Sequence, residues 1–409
     1  MSPRRRSILT IVGPGLLVAA TGVGAGDLAT AGFAGSKLGM IVLWAIVLGA
    51  AMKYVLNEGL ARWQLATDTT LLEGTRQRIG AWAIIIFLIY LIPFSFFVGG
   101  ALISALGVAT HSIIGWPVDP SVAKLVWGGV GSVLATILVL SGGFKVFERV
   151  MAAGIAVMFV AVIWTAVRLG ADAQAMVQGL IPRHPGNGEP LEWTIGLIGG
   201  VGGTVTVLCY GYWIKQAGRT GMSEVRACRL DLAVAYIATA LFGVAMLVIA
   251  SGIEIEGKGT GLLVKLSERL NEALGPAGAM IFLIGAWAAI ASSLLGVWQS
   301  VPMLFTDACQ VLRSSGRCPI EHLPRTWTYR IFLLLLASLP MLQAGLGFAT
   351  VQRIYAMVGA FFLPLLAIVL LFLNRRRFIG KASNRPWTSM ALLGVLAFFA
   401  WAAIARTMG

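Results

Sequence analysis

The chain has 409 residues, 58% of them hydrophobic and only 12% charged, which excludes a water-soluble globular domain and points to a polytopic membrane protein. A formal net charge of +14 would suit a nucleic-acid partner only if the basic residues formed one aromatic-interleaved surface. They are instead spread over short segments between apolar stretches, where Lys and Arg fix orientation in a bilayer.

Windows of about 19 residues predict eleven spans, at 9–35, 39–64, 81–107, 124–142, 150–169, 194–214, 230–252, 277–303, 329–345, 351–373 and 388–406. Alternate connecting segments hold roughly two thirds of the Lys and Arg, including Arg76, Arg78, Lys145, Arg149, Lys215, Arg219, Arg313 and Arg375. This asymmetry predicts a plasma-membrane protein with its N-terminus cytoplasmic and its C-terminus outside. The first span lacks a short apolar region followed by a small-residue cleavage site, so it is expected to stay as a membrane helix. Cys228, Cys309 and Cys318 fall in or beside inner segments, with no CxxC pair to suggest a metal clip or redox couple.

Within the first span the stretch TGVGAGDLAT (21–30) carries one ionisable residue, Asp27. From Ser7 to Ser36 a straight helix would run about 43 Å, against a hydrocarbon core of about 30 Å, so the span tilts or breaks. Gly22, Gly24 and Gly26 each weaken a helix interior by about 1 kcal/mol, which makes this the place to break. Interrupted backbone at membrane depth survives where it lines a cavity or is buried in protein, and beside an aspartate it has the composition of a cation site. The alternative is an Asp held by a neighbouring Lys, Arg or backbone amide purely to fix helix packing; nothing basic lies within one turn.

The sixth span repeats the device: GVGGT at 200–204 echoes GVGAG at 22–26. The spans separate as residues 1–170 (one to five) and 194–375 (six to ten), with an outer loop at 171–193 and an inner loop plus an eleventh span at 376–409. An odd number per half forces the second half to insert upside down relative to the first. The expected fold is therefore all-α, a LeuT-like 5+5 inverted repeat with broken first and sixth helices meeting at the midplane.

These residues resemble the Nramp family of divalent-metal transporters, over roughly 8–375. GPGLLVAATGVGAGDLAT resembles the family's first helix, whose DPGN motif stands here as DLAT; the second span is similar to its second helix; IGGVGGTVTVLCY resembles its sixth, whose motif is GATVMPHN. The resemblance implies a metal site at Asp27, Thr30 and Thr206 with the backbone carbonyls of Gly24 and Gly203. The family's methionine thioether falls on Thr206 and its histidine on Leu208. Losing the soft sulfur leaves oxygen donors, which suit Mg²⁺. The third span, with Pro93 and Phe96 where the family's acids would stand, and His111, His184 and His322 in expected loops offer no proton relay. The combination is similar to the divergent Nramp-related magnesium transporters, implying uncoupled Mg²⁺ uptake, with Mn²⁺ also accepted, by a monomer that needs no cofactor, enzyme chemistry or nucleic acid. A proton-coupled Mn²⁺/Fe²⁺ importer and a Na⁺-coupled organic-solute symporter remain open alternatives.

Other residues have plainer expected roles. Cys209 is a buried apolar thiol or, if it faces the cavity, a soft ligand. Tyr210 is either an inner gate or, with Tyr212 and Trp213, part of an interfacial aromatic belt. Lys53 is expected to snorkel to the inner interface beside a Glu58–Arg62 pair. Ser292, Ser293, Trp298, Gln299 and Ser300 read as helix–helix glue, and 259–275 as a short amphipathic surface helix.

Overall fold

The computed structural model describes residues 13–142, 144–170, 172–255, 259–313 and 319–407. Arg4 to Arg6, Arg317 and Cys318 lie outside the described residues, as do the side chains of Lys145 and Arg149. All regular structure among the described residues is helical.

The first span is wound as α1 (Gly13–Gly22), a π-helical segment (Val23–Thr30) and α2 (Ala31–Leu38). Gly39, at φ 62°, interrupts the chain before α3 (Leu43–Thr67). A capping box starts the short α4 (Leu71–Arg78): the Thr70 hydroxyl accepts from the Glu73 N–H while the Glu73 carboxylate accepts from the Thr70 N–H. Then follow α5 (Ala81–Ile114), α6 (Pro120–Ser141), α7 (Phe144–Arg168) and α8 (Ala173–Gly179). The sixth span is split into α9 (Glu189–Gly200) and α10 (Cys209–Gln216), joined through Val201–Thr204 and a 3₁₀ turn at Val205–Leu208. Beyond it run α11 (Val225–Ala250), α12 (Leu262–Arg313), α13 (Trp327–Ser338), α14 (Phe348–Ala360), α15 (Phe362–Leu373), α16 (Arg376–Ile379) and α17 (Pro386–Thr407).

Nine of the described helices are long and apolar enough to cross a membrane, ten when α7 and α8 count as one bent span. Gly26–Thr67 is one of the nine, although the expected first and second spans lie on either side of Gly39. The segment expected as a loop at 171–193 contains α8 and the start of α9. His111 is in the last turn of α5 and His322 in a 3₁₀ turn, rather than in open loops.

Burial sorts the helices by position. The most apolar stretch of the α9–α10 span is entirely buried, whereas 28% of that of α5 is. The outer helices turn Ile89, Val133, Val160 and Leu334 outward, an apolar surface that a bilayer covers and water does not. Trp82, Trp327 and Trp387 are exposed at the starts of α5, α13 and α17, next to basic segments, and supply the aromatic belt. Trp213, expected there, is only 7% exposed, and Tyr210 and Tyr212 are buried with it. The 259–275 segment does form a helix, up to a kink at Gly275, with Lys265–Glu268 and Arg269–Glu272 pairs on its outer face. Its apolar face is packed on the protein, Leu262 and Leu266 lying against Gly32 of α2.

Candidate functional site

The site lies where the π segment meets the end of α9. Gly22 and Gly26 let the two backbones touch: a Cβ at Gly26 would stand 2.3 Å from the Gly200 carbonyl oxygen, and one at Gly22 would stand 2.5 Å from the Gly203 nitrogen. Gly202 and Gly203 have φ of 71° and 84°, the left-handed region that ends α9 without a Cβ penalty.

Asp27 is fully buried in this contact. One carboxylate oxygen, Oδ1, accepts from the Gly202 N–H at 2.8 Å, while Oδ2 is buried without a hydrogen-bond partner among the described residues. Thr206 presents a second unsatisfied buried oxygen, Oγ1, and Gly203 lies against it, a Cβ there standing 2.7 Å away. Buried polar oxygens are seldom left unpaired, so the charged one, Asp27 Oδ2, is an atom that a positive ligand would complete.

Three more expected residues fall around this point. Thr30 accepts from the Gln352 amide of α14 at 2.9 Å. Gly24 is held against α12, its N–H donating to the Ser293 hydroxyl at 3.0 Å, which in turn donates to the Ala20 carbonyl. Ser293 is thus the helix–helix glue expected of that stretch. Cys209 is buried beside Ser300. Among the described residues no group of three His, Cys, Asp or Glu could hold a metal.

Lys53 overturns an expectation. It does not snorkel: it is fully buried, and its ammonium donates to the carbonyls of Gly199, at 2.6 Å, and Val201 at the end of α9. Those carbonyls have no helical partner, and the negative end of the α9 dipole points at them, so a cation is the natural cap. Val201 C=O and Gly202 N–H belong to one peptide group, so Lys53 and Asp27 grip opposite edges of the same plane, each feeling the other's charge. Peptide dimensions place the two charges on the order of 7 Å apart. At an effective dielectric of about 20, a unit charge at that separation is worth about 2 kcal/mol. Asn57, one turn after Lys53, donates to Tyr236, whose ring fills the space beside Gly202.

Toward α10 and the start of α11 lies a second buried polar cluster. Asp231 of α11 is fully buried; it accepts from Arg219, Tyr210 and the Gly15 N–H of α1, each at 2.9 Å. Gly15 is required by this approach, since a Cβ would meet Asp231 Oδ1 at 2.4 Å. Tyr212 donates to Asp307 of α12, which Thr70 also contacts. Tyr210 therefore belongs to a buried polar network instead of the belt. The Glu58–Arg62 pair forms as expected, and Arg229 joins it on Glu58 at 2.8 Å.

A family model described as natural resistance-associated macrophage protein-like (Nramp) matches residues 15–408. The chain belongs to this family. The chain is 24% identical to the divalent metal cation transporter MntH of Bacillus subtilis, over 96% of this chain and 90% of that protein. In fold it is similar to a mutant of the Eremococcus coleocola manganese transporter, with a TM-score of 0.74 and 18% identity over 99% of this chain and 88% of that one. It is also similar to MhsT, seen in complex with L-phenylalanine, with a TM-score of 0.62 and 16% identity over 100% and 99%. These likenesses define an all-α membrane fold of the LeuT-like inverted-repeat type.

Proposed function

We propose that this chain is a plasma-membrane transporter, not an enzyme, that carries a divalent metal cation, Mg²⁺ by preference, through a midplane site. The observation that carries the reading is the Asp27 carboxylate oxygen left unpartnered and fully buried between the two interrupted helices. The relatives' names support a divalent metal as the cargo.

The donors that would hold the ion are Asp27 Oδ2, Thr206 Oγ1 and the carbonyls of Gly24 and Gly203, with Thr30 reaching it through a water. All are oxygens, a set that favours a hard cation keeping part of its hydration shell. Asp27 is 0% and Thr206 3% exposed, so an ion would enter when the α1 side or the α9 side moves away. A doubly charged ion gains about 4.6 kcal/mol per 100 mV of membrane potential, a sufficient drive for uptake without a coupled proton. The orientation proposed has the N-terminus inside, the C-terminus outside and a monomer as the working unit.

The test is flux into proteoliposomes, comparing Mg²⁺, Mn²⁺ and Ca²⁺ with and without a pH gradient. Uptake of Mg²⁺ at least equal to that of Mn²⁺, unchanged by the gradient, is expected. Mn²⁺ uptake without Mg²⁺ uptake overturns the selectivity, and lumenal acidification that accompanies metal entry overturns the uncoupled mechanism.

A further inference from the structure

We infer that Lys53 is a tethered cation that stands in for the transported ion when the site is empty, and that this substitution lets the unloaded carrier return. The inference rests on the divalent-metal reading above.

A carrier that delivers net uptake must cycle back without cargo. An ion site whose carboxylate loses its partner on that return must carry a buried, uncompensated charge through the closed arrangement, which is costly. Here the closed arrangement already contains a compensating charge. The Lys53 ammonium reaches from α3 to the carbonyls of Gly199 and Val201, across one peptide group from the Asp27 carboxylate. It also holds the unpaired end of α9 in the position that presents the Gly202 N–H to Asp27. With Lys53 in place the empty centre is neutral and its helix end is capped. When a doubly positive ion arrives at Asp27 the two cations repel, so the same ammonium that stabilises the empty state weakens binding and speeds release. Lys53 thus acts on the cargo through Asp27 and α9, as a positioning residue, without ligating it.

Exchange and net uptake separate these roles, since exchange of internal for external metal never needs an empty return. In proteoliposomes, Lys53→Met is expected to lower the KM for Mn²⁺ or Mg²⁺ by at least about tenfold, to keep metal-for-metal exchange, and to lose most net uptake. Lys53→Arg, which retains the charge, is expected to restore net uptake. Equal changes in both modes for Lys53→Met, or an unchanged or raised KM, overturn the inference while leaving metal transport intact. Wild-type protein that neither exchanges nor accumulates a divalent ion overturns the underlying reading and the inference with it. If Lys53→Met does not fold, Lys53→Gln and Lys53→Arg decide: net uptake and KM alike in the two variants overturn the role of the charge, whereas tighter binding with lost net uptake in Lys53→Gln alone supports it.

Discussion

The two glycine clusters, 22–26 and 199–203, look alike in sequence and behave oppositely in the structure. The first stays wound: every residue from Val23 to Thr30 is π-helical, and Gly22, Gly24 and Gly26 serve close approach, to Gly203, Ser293 and Gly200 respectively. The second opens: Gly202 and Gly203 take φ of 71° and 84°, and α9 ends there. One cluster uses the missing Cβ for proximity and the other for conformation. A wound segment delivers a side chain, Asp27, while an opened one delivers backbone groups, the Gly202 N–H and the Gly199 and Val201 carbonyls. The proposed cation site pairs a side-chain charge with freed backbone dipoles.

The largest expected break in this partnership is Asp27→Ala. It removes the carboxylate at the centre and is expected to lower metal flux in proteoliposomes by roughly a hundredfold or more, with binding lost in parallel by calorimetry; near-normal flux would show that the cargo path bypasses the first cluster. Next in size is Gly26→Ala. Alanine suits the winding there, but its Cβ would strike a backbone atom, the Gly200 carbonyl oxygen, which cannot swing aside. The two segments must part, and flux is expected to fall by on the order of tenfold, with a lower thermal stability in detergent from the overpacked contact, about 1–3 kcal/mol. Gly202→Ala acts through conformation instead. A left-handed φ costs a residue with a Cβ about 1–2 kcal/mol, and the Tyr236 ring stands 2.9 Å from the added atom. A lower melting temperature is expected beside the flux loss, and an unchanged melting temperature would erase the conformational role drawn for this cluster.

Asp27 could be found from sequence because a lone charge among apolar residues announces itself, and the repeat of GVGAG in GVGGT marked the facing segment. Composition says that glycines weaken an α-helix; it does not say whether the chain then widens into a π-turn or opens, which tertiary contact decides. Lys53 was misplaced for a physical reason. A four-carbon stem near the inner half of a span ordinarily reaches water, and only the three-dimensional position of α9's carbonyls gives its ammonium a better destination. Asp231 and Gln352 were passed over for a similar reason: each is one polar residue whose partners, Gly15, Tyr210 and Arg219, or Thr30, are distant in sequence or carry no signal. The LeuT-like layout was readable because it depends on the number of apolar spans and on the repeat of the glycine cluster.

The smallest expected effect tests the chemistry of the opened segment rather than its shape. Thr206 contributes a hydroxyl oxygen with no hydrogen-bond partner among the described residues, packed against Gly203. Thr206→Met exchanges this hard donor for a thioether, which binds Mg²⁺ poorly and softer transition metals well. The thioether has three rotatable bonds with which to fit its added length, and thermal stability in detergent checks that the variant folds. The expected outcome is a shift of a few-fold in the ratio of Mn²⁺ to Mg²⁺ flux toward Mn²⁺, read as competition between the two ions in one vesicle population. A ratio that stays fixed would place Thr206 off the ion's path, and would leave Asp27, the carbonyls of Gly24 and Gly203, and Thr30 as the whole of the proposed site.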